Sequence, residues 1–166
     1  MKRRPATAEE ARALANPLRL RILRLCLDEA LTNRQLAVRL GRDPGTVLYH
    51  VRVLVHTEFL KAEPPQRGAR GSVERPYRAT GKSWTVEVGG EDPQSTLSMV
   101  DAFRAELADA GPGSVLSSSR LGVRLGHAAV EELIQRLAQT VEEFASRDQP
   151  DGIPIGLFVG LHRRQS

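Results

Sequence analysis

Thr32-Asn33-Arg34-Gln35-Leu36-Ala37-Val38-Arg39-Leu40-Gly41-Arg42-Asp43-Pro44-Gly45-Thr46-Val47-Leu48-Tyr49-His50-Val51-Arg52-Val53-Leu54 holds two helices with almost nothing between them. Thr32 and Gln35 form a capping box, and Leu36 and Leu40 continue from it at helical spacing. Gly41 stops this first helix, because glycine readily takes the left-handed conformation in which helices end. Asp43-Pro44 starts another, with a capping carboxylate directly before a proline whose missing N–H does no harm in a first turn. The spacing predicts helices over 32–40 and 44–57 joined by a tight turn.

At 100° per residue, Val47, Val51 and Leu54 share one side of the second helix and should pack inward. Gly45, Tyr49, Arg52 and His56 project from the opposite side. Upstream, Thr7-Ala8-Glu9-Glu10 is another capping box and Asn16-Pro17 another cap before proline, which predicts helices over 7–15 and 17–29. Leu18, Ile22 and Leu25 give the latter its apolar positions. Downstream, Phe59-Leu60-Lys61-Ala62 is expected as a strand, Pro64 to Gly71 as an arginine-bearing loop, and Arg75 to Ala79 as the returning strand. Pro76 lacks the amide that a central strand needs, so an edge position is expected for it.

Two short helices, a tight turn and a hairpin with a basic tip make a winged helix-turn-helix, whose second helix enters the major groove of DNA while the wing reaches the backbone or minor groove. Charge agrees with this. From Met1 to Lys82 the chain has 17 Lys and Arg against 8 Asp and Glu, whereas from Ser83 onward it has 7 against 12. A basic half suits a polyanion, and an acidic half suits some other task.

The order of motifs resembles the arsenical-repressor-like (ArsR-type) bacterial regulators. The residues that carry the resemblance are Leu14 to Leu23 in the early helices, Gln35-Leu36-Ala37 in the third, and Thr46-Val47-Leu48-Tyr49-His50-Val51 in the fourth. It covers roughly the first half of the chain, and it implies a homodimeric DNA-binding transcription regulator, generally a repressor. A dimer would set two recognition helices about one DNA turn apart on an inverted repeat. Thiolate metal sensing in this family needs a cysteine motif at the start of the third helix, where Thr32-Asn33-Arg34 stands, so that class of sensor is excluded.

On this reading Arg42, Gly45, Thr46, Tyr49, His50, Arg52 and His56 are the candidate DNA-contacting residues of the fourth helix. Arg52 can donate two bonds to guanine, and Gly45 lets the backbone approach closely. Arg67, Arg70, Arg75 and Arg78 are the wing's phosphate or minor-groove candidates.

The expected domains are 1–82, a winged helix-turn-helix, and 83–166, an α+β module for dimerisation and for sensing a small organic effector. The fold class is thus mainly α with a small β wing, followed by that α+β module. Trp84 to Val88 alternates as a strand does; Asp92-Pro93 starts a helix to about Ala110, and His127 to Arg147 is a second helix with an apolar stripe. Ile153 to Leu161 is β-prone and could pair with 84–88. Leu97, Val100, Phe103 and Leu107 lie along one helix face and are the candidate dimer interface, and Trp84, Phe144, Leu157 and Phe158 could line an effector pocket.

Enzyme readings find no support: there is no phosphate-cradling glycine loop, nucleophile elbow or His-Glu-x-x-His motif. No cofactor and no metal are expected, because the single Cys26 excludes a disulfide framework and any two-thiolate site within the chain. His127 and Glu131 have i, i+4 spacing but need further ligands, so a metal-responsive regulator stays an alternative. A winged-helix protein-interaction module without specific DNA binding is the other. No apolar run approaches the roughly 20 residues of a membrane span and no signal peptide is expected, which predicts a cytoplasmic protein without membrane partners.

Overall fold

The computed structural model describes residues 3–67, 71–88, 93–149 and 151–164. Two compact units form, Lys2–Asp109 and Ala110–Ser166.

The first unit is built from capped helices. Thr7 caps α1 (Ala8–Leu14) in a complete box with Glu10, and Asn16 Oδ1 accepts from Arg19 N at 3.1 Å to start α2 (Pro17–Asp28). After β1 (Arg4–Pro5) and β2 (Leu31–Thr32), Thr32 and Gln35 cap each other reciprocally at the start of α3 (Asn33–Leu40). Asp43 caps α4 (Pro44–His56). All four caps are those the sequence predicts. Ile22, Cys26, Leu31, Leu36, Val47, Val51 and Leu54 are fully enclosed between these helices and the wing, with Phe59 and Leu60 beneath them.

The wing has more strands than its sequence suggested. β3 (Leu60–Ala62) and β6 (Pro76–Ala79) pair antiparallel, but β2 adds to the other side, so β6 is the central strand of three. Pro76 is therefore buried mid-sheet rather than at an edge. It is tolerated because it is the first residue of the strand, and its carbonyl still accepts from Glu63 N at 2.9 Å. Farther out, β4 (Gln66–Arg67) and β5 (Val73–Glu74) pair as a separate ribbon, which extends the arm and shortens its tip.

β7 (Val86–Glu87) pairs in parallel with β1, not with 153–161. Arg4, immobilised on Glu10 at 2.6 and 2.8 Å, holds the N-terminal strand in the place expected for the later segment. The proposed cap Asp92 lies outside the described residues. α5 (Pro93–Ala110) lies with the winged helix up to Asp109, whereas the sequence places the boundary at 82/83. Its acidic side chains explain this: Asp109 pairs with Arg21, and Glu106 with Arg24 at 3.4 Å.

In the second unit, α6 (His127–Ala145) is the one regular element among the described residues. The segments before and after it, including the β-prone 153–161, join no sheet there. Among the described residues, no helix is long and apolar enough to cross a membrane.

Candidate nucleic-acid interface

The turn between α3 and α4 closes by backbone chemistry. Gly41 is left-handed (φ 59°), and Arg42 N donates back to Ala37 O at 3.0 Å. Next along the chain, Asp43 Oδ2 accepts from Thr46 N at 2.9 Å, and Asn33 Nδ2 donates to Pro44 O at 2.9 Å to tie the two helix starts together. The angle between the helices is thus held by hydrogen bonds at both ends of a three-residue link.

With Val47, Val51 and Leu54 buried, the opposite side of α4 must face solvent. Gly45, Thr46, Arg52 and His56 are exposed and Tyr49 is 62% exposed, so the structure brings the candidate reading residues onto one open face. Arg42 is exposed at its N-terminal edge.

Three of these residues have close neighbours within the chain. Thr46 is engaged by the Asp43 carboxylate, which already occupies the helix N-terminus, so an incoming phosphate would meet a negative cap there. Gly45 lies so close to that cap that an added Cβ would stand 3.0 Å from Asp43 Oδ2, which gives its lack of a side chain a local reason as well as a role in close approach. His56 Nε2 is 3.1 Å from Glu9 Oε1 on α1.

His50 is half-buried beside the face. Its ring meets Tyr49 edge-on at 5.2 Å, and its Nδ1 lies 3.5 Å from Arg19 Nη1. A guanidinium only donates, so Nδ1 must accept and Nε2 carries the proton. Burial, and secondarily the Arg19 charge, hold the imidazole below its usual pKa and keep it neutral. Arg19 is itself fixed by the carbonyls of Ala13 (2.5 Å) and Arg12 (2.6 Å), so α2 positions a recognition-helix side chain. This long-range link has no local sequence signal.

In the wing, Arg67 and Arg75 are exposed on the arm. Arg78 instead turns back into the fold, donating to Asp28 O at 3.2 Å and lying 3.9 Å from Glu63. Arg70 lies outside the described residues.

Residues 14–62 match the family model of a helix-turn-helix domain. The match spans α2, α3, α4 and the first wing strand, the part whose geometry is described above. No curated protein matches the chain. The matched segment is the one that carries the open face of α4.

The remaining candidates lie elsewhere. α5 turns its small residues Ser95, Ser98 and Ala102 inward. Leu97 (55% exposed), Val100 and Leu107 face outward, and Phe103 is half-buried. Trp84 is exposed in the first unit, and Phe144 and Leu157 are exposed in the second. His127 and Glu131 are exposed on α6, and no group of three metal-ligating side chains assembles among the described residues.

Proposed function

We propose that this protein is a homodimeric, sequence-specific transcription regulator of the ArsR-like kind, a cytoplasmic repressor that binds an inverted-repeat operator in double-stranded DNA. The observation that carries the proposal is the open face of α4, where Tyr49 and Arg52 stand clear of solvent-excluding neighbours above a helix-turn-helix core. Tyr49 and Arg52 read base edges, His50 contributes its Nε2–H, and Arg42, Arg67 and Arg75 bind phosphates, with Arg70 joining them from the wing tip. Gly45, Thr46 and His56 border this contact, and Arg78 holds the wing in place.

The dimer is supported by α5. Its apolar stripe faces solvent in a single chain while small residues fill the inward side, an arrangement that suits a surface covered by another subunit. Regulation is by linkage: a small organic effector preferring a dimer geometry that cannot span both half-sites lowers DNA affinity by its differential binding energy. The regulator performs no catalysis of its own.

Selection from a random duplex pool at about 150 mM salt, where nonspecific electrostatic binding is weakened, tests the proposal. Enrichment of an inverted repeat with half-sites about one helical turn apart is expected. A pool that yields no enriched sequence overturns it and favours a protein-interaction role for the same fold.

A further inference from the structure

The second unit poses a physical problem of its own. Not one described residue between 110 and 164 is buried within it, yet the segment carries thirteen large apolar residues that are exposed. A polypeptide of this length with no core cannot offset the entropy of its own ordering. Its apolar surface must be covered by something.

Three observations identify the covering partner. The first is charge. The acidity of the chain's second half lies almost wholly in 83–109, which has six acidic residues and one arginine, while 110–166 has six acidic and six basic residues. A neutral surface neither attracts DNA nor repels another copy of itself.

The second is pattern. Ile153, Ile155, Leu157, Val159 and Leu161 recur at every second position, with Phe158 between two of them, and Leu121, Val123 and Leu125 repeat the same period before α6. Both are strand-length segments, yet neither joins a ladder among the described residues. The side chain of Arg164, just past the second segment, reaches the first, where a Cβ on Gly122 would stand 3.2 Å from its guanidinium. Open strand edges pair with other strands, and an identical strand related by a two-fold axis makes a closed, isologous pairing.

The third is area. The exposed parts of these side chains, together with the α6 stripe at Val130, Ile134 and Phe144, expose apolar surface on the order of 1,000 Å², the scale that a stable interface requires. An isolated chain leaving that much apolar surface open would be prone to association in any case.

From these we infer that residues 110–164 dock on the same unit of a second copy of this chain, with 153–161 pairing as a strand and the α6 stripe completing the shared core. The inference rests on the dimeric reading above and gives that dimer an interface distinct from α5.

The test uses the full chain. Sedimentation equilibrium across a wide concentration range should give a dimer, and the amides of 153–161 should exchange slowly in the dimer and quickly on dilution. Ile155→Asp with Leu157→Asp should weaken association by about a hundredfold or more, because two apolar side chains are replaced by charges in a closed interface. Both positions are exposed in the single chain, and an unchanged melting transition of the winged helix would verify that its fold is intact. A dimer that survives this double variant but is lost in Val100→Asp overturns the inference and leaves the α5 dimer standing. A monomer at every concentration overturns both, and slow exchange of 153–161 in that monomer would show the segment covered by its own chain.

Discussion

Lys82 Nζ lies 2.9 Å from Glu10 Oε1, joining the segment after the wing to the first helix. The same ammonium donates to Thr57 O at 2.8 Å, satisfying a carbonyl at the end of α4, where positive charge is favoured. Glu10 is buried and also takes two Arg4 bonds and one from Thr7 N at 2.9 Å. These partners, Arg4 foremost, hold its carboxyl far below the ordinary 4.5. In the unfolded chain the carboxyl takes a proton near its ordinary value, while in the fold it stays ionised. The stability that Glu10 supplies is therefore complete above about pH 5 and is lost as pH falls toward its folded value. Urea midpoints measured from neutral pH to pH 3 should fall steeply for the natural protein and less steeply for Glu10→Gln, so the gap between them narrows. Parallel curves would show that this carboxylate does not govern the acid limb.

Glu58 adopts a left-handed backbone (φ 60°) just after α4, with Phe59 N donating to Leu54 O at 2.8 Å in the manner of a helix-ending motif. A side chain in that conformation is strained, and the Lys82 contact it makes at 3.3 Å is exposed and worth little. Glu58→Gly should raise stability by about 0.5–1 kcal/mol, seen as a higher urea midpoint at unchanged slope. A lower midpoint would mean that the Lys82 contact outweighs the strain.

The caps at Thr7, Asn16, Thr32 and Asp43 were legible because a cap is a contract among four neighbouring residues, and so was the inward side of α4, which follows from helical periodicity. The strands were less so. β1, β2, β4, β5 and β7 have two residues each, too few to show an alternation, and the partners of β1, β2 and β7 are distant in sequence. Pro76 misleads because a proline is tolerated at the first residue of a strand, and the sequence does not mark where β6 begins. On α5 the apolar stripe was visible, but periodicity identifies a face without saying which way it points. Ser95, Ser98 and Ala102 won the inward side, where small side chains permit a close approach. At the site, the exposure of Tyr49 and Arg52 followed from the helix angle, whereas the Arg19–His50 link depends on the packing of two helices and could not.

Cys26 is enclosed in the core, and burial pushes its thiol up to about 12. The thiolate is the reactive form, so both access and ionisation are withheld. A thiol-alkylating reagent at pH 8 should leave the native protein unlabelled for as long as it stays folded, with labelling appearing only at the rate set by unfolding. Rapid labelling under native conditions would show that α2 opens locally, independently of the rest of the core.

Arginines near the interface should separate by what is measured, because their surroundings differ. Tyr49→Ala with Arg52→Ala removes two exposed side chains of α4 and should abolish preference for the selected operator while leaving salt-sensitive binding to random duplex in place. Arg67→Ala and Arg75→Ala should weaken operator and random duplex alike, each lowering the slope of log affinity against log salt by about one unit. Arg78→Ala should do neither. Its guanidinium is engaged by Asp28 O and lies near Glu63, so the loss should appear as a lower melting temperature with the salt slope unchanged. Should Arg78→Ala instead reduce the salt slope as the other two do, the side chain leaves Asp28 when DNA arrives, and the wing adjusts its shape on binding.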